Sequence, residues 1–450
     1  VHLYQEIVHS YSGSMEEFVN VYGRKEKKVR IASVDIGGGT SDVMIAEYED
    51  RLPGTGTALG IRKLFQDGVS IGGDDVCRAI VEDIIFDQIL QQIPTVSERN
   101  QLIQLFGEAV SEYGEAWRTL RAKLVPYYWL PLARCYWALG EGFGIPDHHP
   151  ERQYTAPEIF EIFENPDWSP KVEEADRFIS ELVPSFPGFN NVFFRFDPYE
   201  VTESIDRVLR EPLRRYADII AQFDVDLLVL AGRTSALKRV HELFVREMPV
   251  APPRIKMMSS YKVDDWYPAS WRHNGHIKDP KSTVTAGAMI LHLASRNRLP
   301  GLLLESMTEV DQKPIYGLYQ HSEPHIARAN ELFRDESTSR SFPYTGGMVI
   351  GFRNVDSEEM DGSPLFEVRP TSADVETALL EDRVNLRFRI DDDQNIEIVD
   401  VASQRGVFAF QESAFKLALK TSTVARYWLD TGQFKPSAQY AESEEPDDEG

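Results

Sequence analysis

The chain has 450 residues, 42% of them hydrophobic, which is enough for two or three domains with sizeable cores. Its formal net charge of -24 at pH 7 argues against nucleic acid and anionic membranes as partners, because both would repel it. The two cysteines, Cys77 and Cys135, exclude a disulfide framework and a cysteine-based zinc site, and no apolar run is long enough to span a bilayer.

A glycine-rich turn follows the first predicted strand. Residues 29–34 are mostly apolar, which is typical of a buried strand, and residues 43–48 predict a second strand. The turn between them carries three glycines flanked by acids and hydroxyls: Asp35, Gly37, Gly38, Gly39, Thr40, Ser41 and Asp42.

These residue types suit a metal-bound polyphosphate. Glycines let the backbone approach a ligand and turn its amides toward an anion. Two carboxylates suit a hard cation such as Mg²⁺, directly or through water. The alternative is a plain hairpin whose glycines serve only turn geometry, although three glycines exceed that need. No Walker A sequence occurs, and the glycines of residues 54–60 have the wrong spacing for a dinucleotide fingerprint.

The next elements alternate between helix and strand. Gly72-Gly73-Asp74-Asp75 opens a helix predicted over residues 74–90, and a long insertion follows over about 91–200. The insertion begins helical, and its aromatic stretch at residues 127–132 predicts a buried helix or strand rather than a ligand-binding surface. A helix is then expected to begin with Thr202 as its N-cap. A strand at 227–230 and a helix at 236–246 complete a parallel-sheet unit.

The character of the chain changes after about residue 299. Residues 301–340 are predicted to be a connection, and residues 341–435 a small β-rich domain, because period-two alternation dominates residues 343–401. A closing helix is predicted over 413–431, followed by an acidic disordered tail at 436–450. His321 and His325 are not expected to bind a metal, because Pro324 breaks the helix that would align them.

Three segments in order resemble the ATPase superfamily of actin, sugar kinases and heat-shock chaperones. Residues 35–43 resemble its second phosphate motif, residues 226–235 its adenosine motif, and residues 279–288 its last connecting helix. A narrower resemblance, carried by residues 230–235, Trp266-Tyr267-Pro268 and residues 279–283, is to the bacterial SrfB family of virulence-linked proteins. That resemblance implies a Gram-negative bacterial origin and a longer parent protein, of which this chain is expected to be the C-terminal part. Length and composition predict a cytoplasmic location, with secretion left open.

The superfamily resemblance implies a fold and an organisation. The fold is an α/β, actin-like (ribonuclease H-like) second lobe at residues 1–300 with a helical insertion, followed by an α+β, β-rich C-terminal domain. The implied cofactors are ATP and Mg²⁺.

The resemblance also implies roles for individual residues. Asp35 would order magnesium-bound water, and Asp42 would assist it in catalysis. The phosphates would bind Gly37, Gly38, Gly39 and Thr40, and the nucleoside would bind Gly232, Arg233, Thr234 and Ser235. Glu6 is the candidate for the acid on the superfamily's first connecting helix.

The chain departs from the superfamily in two respects. It contains no first phosphate motif, so the chain alone is predicted to be a poor or inactive ATPase. Arg233 stands where a second glycine is usual, and Ala236 occupies the later basic position, so Arg233 is expected to contact the adenine or ribose instead. Two hypotheses therefore remain: an ATP-driven switch, or an inactive scaffold whose insertion or C-terminal domain binds a protein partner.

Overall fold

The computed structural model describes most of the chain, with gaps. The described residues are 1–10, 14–23, 28–51, 57–107, 114–141, 152–163, 172–309, 314–319, 326–333, 340–353, 362–391, 395–419 and 428–434. The predictions for His321 and His325 and for the acidic tail lie outside these residues. The architecture is mixed α/β, and it divides into two compact units, Val1–Val310 with Arg426–Gly450, and Asp311–Ala425.

Unit 1 is built around a sheet flanked by helices. Its described strands are β1 (Lys28–Ile36), β2 (Ser41–Asp50), β3 (Thr57–Val69), β4 (Tyr154–Thr155), β5 (Phe193–Phe194), β6 (Leu227–Ala231), β7 (Ile255–Met257), β8 (Arg272–His273), β9 (His276–Ile277) and β10 (Leu302–Glu309). Six of these described strands form one sheet in the order β10-β3-β2-β1-β6-β7. β2 runs antiparallel to both of its neighbours, β1 and β3, whereas β6 runs parallel to β1, β7 parallel to β6, and β10 parallel to β3.

The helices of unit 1 precede, interrupt and follow this sheet. They are α1 (His2–Tyr4), α2 (Met15–Tyr22), α3 (Gly73–Ile80), α4 (Phe86–Gln91), α5 (Val96–Phe106), α6 (Gly114–Leu124), α7 (Leu130–Gly140), α8 (Ala156–Ile162), α9 (Glu173–Leu182), α10 (Pro198–Gln222), α11 (Lys238–Glu247) and α12 (Ser282–Ser295). Wider π-type turns at Gln5–Ser10, Val81–Ile85 and Val125–Trp129 continue α1, join α3 to α4, and join α6 to α7. A 3-10 turn, Arg233–Ala236, separates β6 from α11.

The central strands confirm the sequence prediction at residues 29–34, 43–48 and 227–230. In β1, Val29, Ala32, Val34 and Ile36 are fully buried, so the strand is covered on both faces. That burial explains its nearly continuous apolar sequence, since a half-exposed strand would alternate.

The helix predicted over residues 74–90 is confirmed, but the predicted start of the next long helix is wrong. α10 begins at Pro198, and its N-cap is Asp197, whose carboxylate accepts a 2.8 Å hydrogen bond from the amide of Tyr199. An Asp N-cap followed by Pro at the first helical position favours helix initiation, because the ring presets φ and the missing amide needs no partner there. Thr202 instead lies inside the helix.

The insertion has its own aromatic core. Tyr128, Trp129 and Leu132 are fully buried, which confirms the predicted burial of the 127–132 stretch. Their neighbours include other buried rings that meet mostly edge to face: Phe86, Phe106, Trp117 and Phe189. Buried aromatic rings contribute large apolar areas, so this packing gives the insertion a hydrophobic core.

Unit 2 consists mainly of antiparallel strands. They are β11 (Ile315–Tyr319), β12 (Ser341–Pro343), β13 (Val349–Arg353), β14 (Ser363–Pro370), β15 (Val384–Ile390), β16 (Ile396–Ser403) and β17 (Phe415–Leu419), with helix α13 (Ala373–Glu381). The described strands form two sheets, β11-β13-β14-β17 and β12-β15-β16. The core they share contains Leu332, Ile350, Val368, Leu386 and Phe388. The period-two pattern therefore predicted strands correctly in this part of the chain.

The predicted closing helix over residues 413–431 is wrong. Residues 415–419 form β17, which pairs with β14 through contacts such as Val368 with Leu417. Pairing with a strand far away in sequence decided this segment, since its local pattern fits either structure. Of the remainder, Trp428–Thr431 forms a short helix, α14, that belongs to unit 1. The segment predicted as a connection contains β10 of unit 1 and β11 of unit 2.

Candidate functional site

The glycine-rich turn joins the end of β1 to the start of β2, two inner strands of the central sheet. Strand pairing places Asp35 directly opposite Asp42, so the two carboxylates flank the mouth of the turn. The amide of Gly37 donates a 2.8 Å hydrogen bond to the carbonyl of Thr40, which closes the turn. The hydroxyl of Thr40 donates to a carboxylate oxygen of Asp42 at 3.2 Å.

The glycine-rich turn is held against the start of α3 by hydrogen bonds to its carbonyl oxygens. The carbonyls of Gly37 and Gly38 accept hydrogen bonds of 2.9 and 2.7 Å from the first amides of α3, those of Gly73 and Asp74. Within the described part of the chain, the amides of Gly38, Gly39 and Thr40 have no hydrogen-bond partner. Three successive amides without such a partner are donors suited to binding an anion.

Close backbone approach explains the glycine pair that opens α3. A Cβ on Gly72 would lie 2.8 Å from the carbonyl carbon of Gly38 and 3.0 Å from the carbonyl oxygen of Gly37. A Cβ on Gly73 would lie 2.7 Å from the hydroxyl of Thr234. Gly72-Gly73 therefore lets the helix start rest directly on the turn, which fixes the position of the turn.

The segment after β6 forms the second wall of the site. β6 pairs Ala231 with Asp35, so Gly232 lies just beyond the acid. Gly232 has φ +85°, and a Cβ there would collide with the main-chain carbonyl of Ile36. Glycine adopts a positive φ at little cost, whereas residues with a Cβ are strongly disfavoured in this conformation. The nearby end of β1 also leaves no room for a Cβ at this position.

Two of the residues predicted to contact the nucleoside use their hydroxyls in bonds within the protein. Thr234 and Ser235 are buried. The hydroxyl of Thr234 donates a 3.0 Å hydrogen bond to the carbonyl of Gly37, and that of Ser235 donates a 2.6 Å bond to the carbonyl of Gly232. The Thr234 bond joins the 232–235 turn to the glycine-rich turn, and the Ser235 bond closes the 232–235 turn itself, so the two predicted motifs form one structure.

Arg233 is the member of this predicted set whose side chain reaches solvent. Its guanidinium Nη2 lies 3.2 Å from Oε1 of Glu141 and donates a 3.3 Å hydrogen bond to Oε2. Glu141 Oε1 also accepts a 2.8 Å hydrogen bond from Trp137 Nε1. Sequence reasoning missed Trp137 and Glu141, because they come from the insertion and no local motif marks them.

The electrostatics of the site centre on Asp35. Burial raises the pKa of this carboxyl, the facing Asp42 raises it further, and the positive charge of Lys281 opposes both effects. Asp35 also lines a mostly apolar cavity of about 400 Å³ between the sheet and α12. Lys281, at the start of α12, is a further residue that the predicted site did not include.

Glu6 lies in the N-terminal helical segment, where its carboxylate accepts a 2.6 Å hydrogen bond from the hydroxyl of Tyr261. No group of three or more His, Cys, Asp or Glu side chains in the described ranges is arranged to hold a metal ion. A cation at the turn would accordingly need most of its ligands from water or from a bound anion, which is the indirect mode predicted for Asp35.

The segments that carried the narrower resemblance pack into one cluster beside this site. Ala231, Tyr267 and Ala286 belong to the same buried group, and the hydroxyls of Tyr267 and Ser282 are 2.6 Å apart. The family profile described as "Virulence factor SrfB" matches residues 1–435. The chain belongs to the SrfB virulence factor family.

The SrfB match spans both units, so the β-rich unit is part of the family and not a separate addition. A search of curated proteins finds no match to this SrfB chain. Among its described residues, no helix combines the length and apolar character needed to cross a membrane.

Proposed function

We propose that this SrfB-family chain binds Mg-ATP and supplies the second nucleotide-binding lobe of an actin-like, ATP-dependent switch. The observation that carries the proposal is the row of free amides at Gly38, Gly39 and Thr40 between two facing acids, Asp35 and Asp42. The two acids would repel a bare polyphosphate. A bound Mg²⁺ removes that repulsion, so the site favours the magnesium complex over the free nucleotide.

The chain's own residues divide the work. The amides of Gly38, Gly39 and Thr40 hold phosphate oxygens, and the amide of Gly37 closes the turn. Asp35 orders water around the cation, and Asp42 orients the hydroxyl of Thr40. A nucleoside extending from these phosphates toward the 232–235 turn meets the planar guanidinium of Arg233, which can stack on a base.

The proposal concerns binding and switching, not turnover by this chain alone. Phosphoryl transfer depends on positioning and on charge stabilisation in an enclosed site. This chain contributes one phosphate-binding turn, and the resembling enzymes use two. The switch would act in the bacterial cytoplasm and would pass its state to a protein partner through the insertion or unit 2.

The second candidate function is an inactive scaffold of the same fold that binds a protein partner. It is favoured because the side chains predicted to bind the nucleoside already make bonds within the protein. Thr234 and Ser235 are buried in the turn, and Arg233 is paired with Glu141. Under this hypothesis the glycine-rich turn persists because α3 and the 232–235 turn pack against it.

Calorimetric titration of ATP into the intact protein, with and without Mg²⁺, separates the two. We expect magnesium-dependent binding that Asp35→Asn weakens by about 1–3 kcal/mol, the size of a lost charge-assisted contact. Asp218→Asn, on an exposed position of α10, is the matched control and should bind as the wild type does. No binding, or equal affinity in wild type and Asp35→Asn under both conditions, would support the scaffold.

A further inference from the structure

The end of the insertion helix α7 reaches into the proposed nucleoside side of the site. Glu141 caps this helix, and its carboxylate joins Trp137 Nε1 at 2.8 Å to the guanidinium of Arg233 at 3.2 Å. The side chain of Glu141 is 11% exposed, whereas that of Arg233 is 53% exposed. The acid is therefore the sheltered anchor of the pair, and the guanidinium is the part open to a ligand.

Trp137, which holds Glu141 in place, lies close to the start of α3 beside the glycine-rich turn. Trp137 is mostly buried, and the far edge of its ring would lie 3.1 Å from a Cβ on Gly73. Gly73 in turn donates its amide to the carbonyl of Gly37 at 2.9 Å. A continuous set of contacts thus joins the insertion, the start of α3, the phosphate turn and Arg233.

We propose that Glu141 is a positioning residue that sets nucleoside recognition at this site; the inference rests on the proposed Mg-ATP binding. A free arginine beside a phosphate site binds phosphate oxygens through its paired N–H groups. Glu141 occupies the Nη2 donor and balances the charge, so Arg233 offers its planar face to a base instead of capturing the polyphosphate. The insertion thereby selects for a ligand with an aromatic base over a bare polyphosphate.

Two ligands that would both bind the glycine-rich turn, Mg-ATP and magnesium tripolyphosphate, should respond differently to a change at Glu141. Glu141→Gln should weaken binding of Mg-ATP about tenfold, which corresponds to ~1.4 kcal/mol. Binding of magnesium tripolyphosphate should stay the same or tighten, because Arg233 is released toward the phosphates. A general loss of structure would weaken both ligands together.

A double-variant cycle tests whether Glu141 acts through Arg233. Arg233→Ala, at a half-exposed side chain, should fold normally and weaken Mg-ATP to a similar extent. Adding Glu141→Gln to Arg233→Ala should then cause no further loss, because the positioned group is already gone. Glu115→Gln, at an exposed position of α6, is the matched control and should leave both affinities unchanged.

The outcomes are distinguishable. Two results would overturn the role of Glu141 and leave the proposed function standing, provided that the wild type binds Mg-ATP. In the first, Glu141→Gln binds Mg-ATP as tightly as the wild type does. In the second, Glu141→Gln weakens the binding of Mg-ATP and of magnesium tripolyphosphate equally. Additive losses in the double variant overturn it as well, because Glu141 would then act independently of Arg233. Wild type that binds neither ligand overturns the proposed function and this inference together.

Discussion

Trp428 donates a 2.9 Å hydrogen bond from its indole Nε1 to the main-chain carbonyl of Asp74, a residue 354 positions earlier in the chain. Asp74 lies in the first turn of α3, the helix whose amides hold the glycine-rich turn. We call residues 428–434 the C-terminal strap. Its last ring, Phe434, stacks on Phe106 in the core of the insertion. The strap follows unit 2 in sequence, yet it completes the support of the candidate site in unit 1.

Trp428→Phe should destabilise unit 1 modestly. The substitution keeps most of the buried ring but removes the indole donor, leaving the carbonyl of Asp74 without that bond, which costs about 0.5–1.5 kcal/mol. Trp428→Ala also removes the ring and should cost about 3–5 kcal/mol. Urea unfolding followed by circular dichroism measures both losses. Equal midpoints for wild type and Trp428→Ala would show that the strap contributes nothing to the fold.

Gly232→Ala should be more damaging than a similar change at Gly275. Both glycines have positive φ, +85° and +75°, so each alanine bears the conformational cost of about 1–2 kcal/mol. At Gly275 the nearest atom to a new Cβ lies 4.0 Å away, whereas at Gly232 the Cβ collides with the carbonyl of Ile36. The collision should add about 1–3 kcal/mol. Thermal melting of the two variants side by side measures the difference, and similar melting temperatures would contradict it.

Asp35→Asn should stabilise the ligand-free protein at neutral pH. Burial and the facing Asp42 raise the pKa of Asp35 in the folded state, so the ionised carboxylate costs stability at any pH above that pKa. As the pH falls below about 4, the ordinary range for an aspartate, the wild-type carboxyl becomes protonated in both states and the cost disappears. Melting temperatures measured from pH 7 to pH 3 should therefore converge. A variant that is less stable at pH 7 would show that the charged form of Asp35 supports the fold.

Residues 311–425 should fold when expressed alone and should bind no nucleotide. Their strands share a core that includes Leu332, Ile350, Val368, Leu386 and Phe388, and none of the candidate site residues lies among them. A cooperative thermal transition by circular dichroism, with no heat of ATP binding, is the expected result. A broad, uncooperative transition would mean that the two units depend on each other for stability.

Local patterns carried much of the prediction. The apolar run at 29–34, the glycines that follow it and the acids beside them predicted the β1–β2 turn, because turn chemistry and strand burial act over a few residues. One local signal was misinterpreted. Asp197 followed by Pro198 is a stronger local signal for a helix start than Thr202, and the helix begins there.

The sequence by itself determined the secondary structure around the site, the glycine positions and the family to which the chain belongs, since each depends on neighbouring residues or on an ordered set of motifs. Tertiary structure decided which of the predicted site residues are buried and which are paired. It buried Thr234 and Ser235, paired Arg233 with Glu141, made residues 415–419 a strand and brought Trp428 to Asp74. Each of these outcomes arises from contacts between residues far apart in sequence, and local periodicity carries no information about such partners.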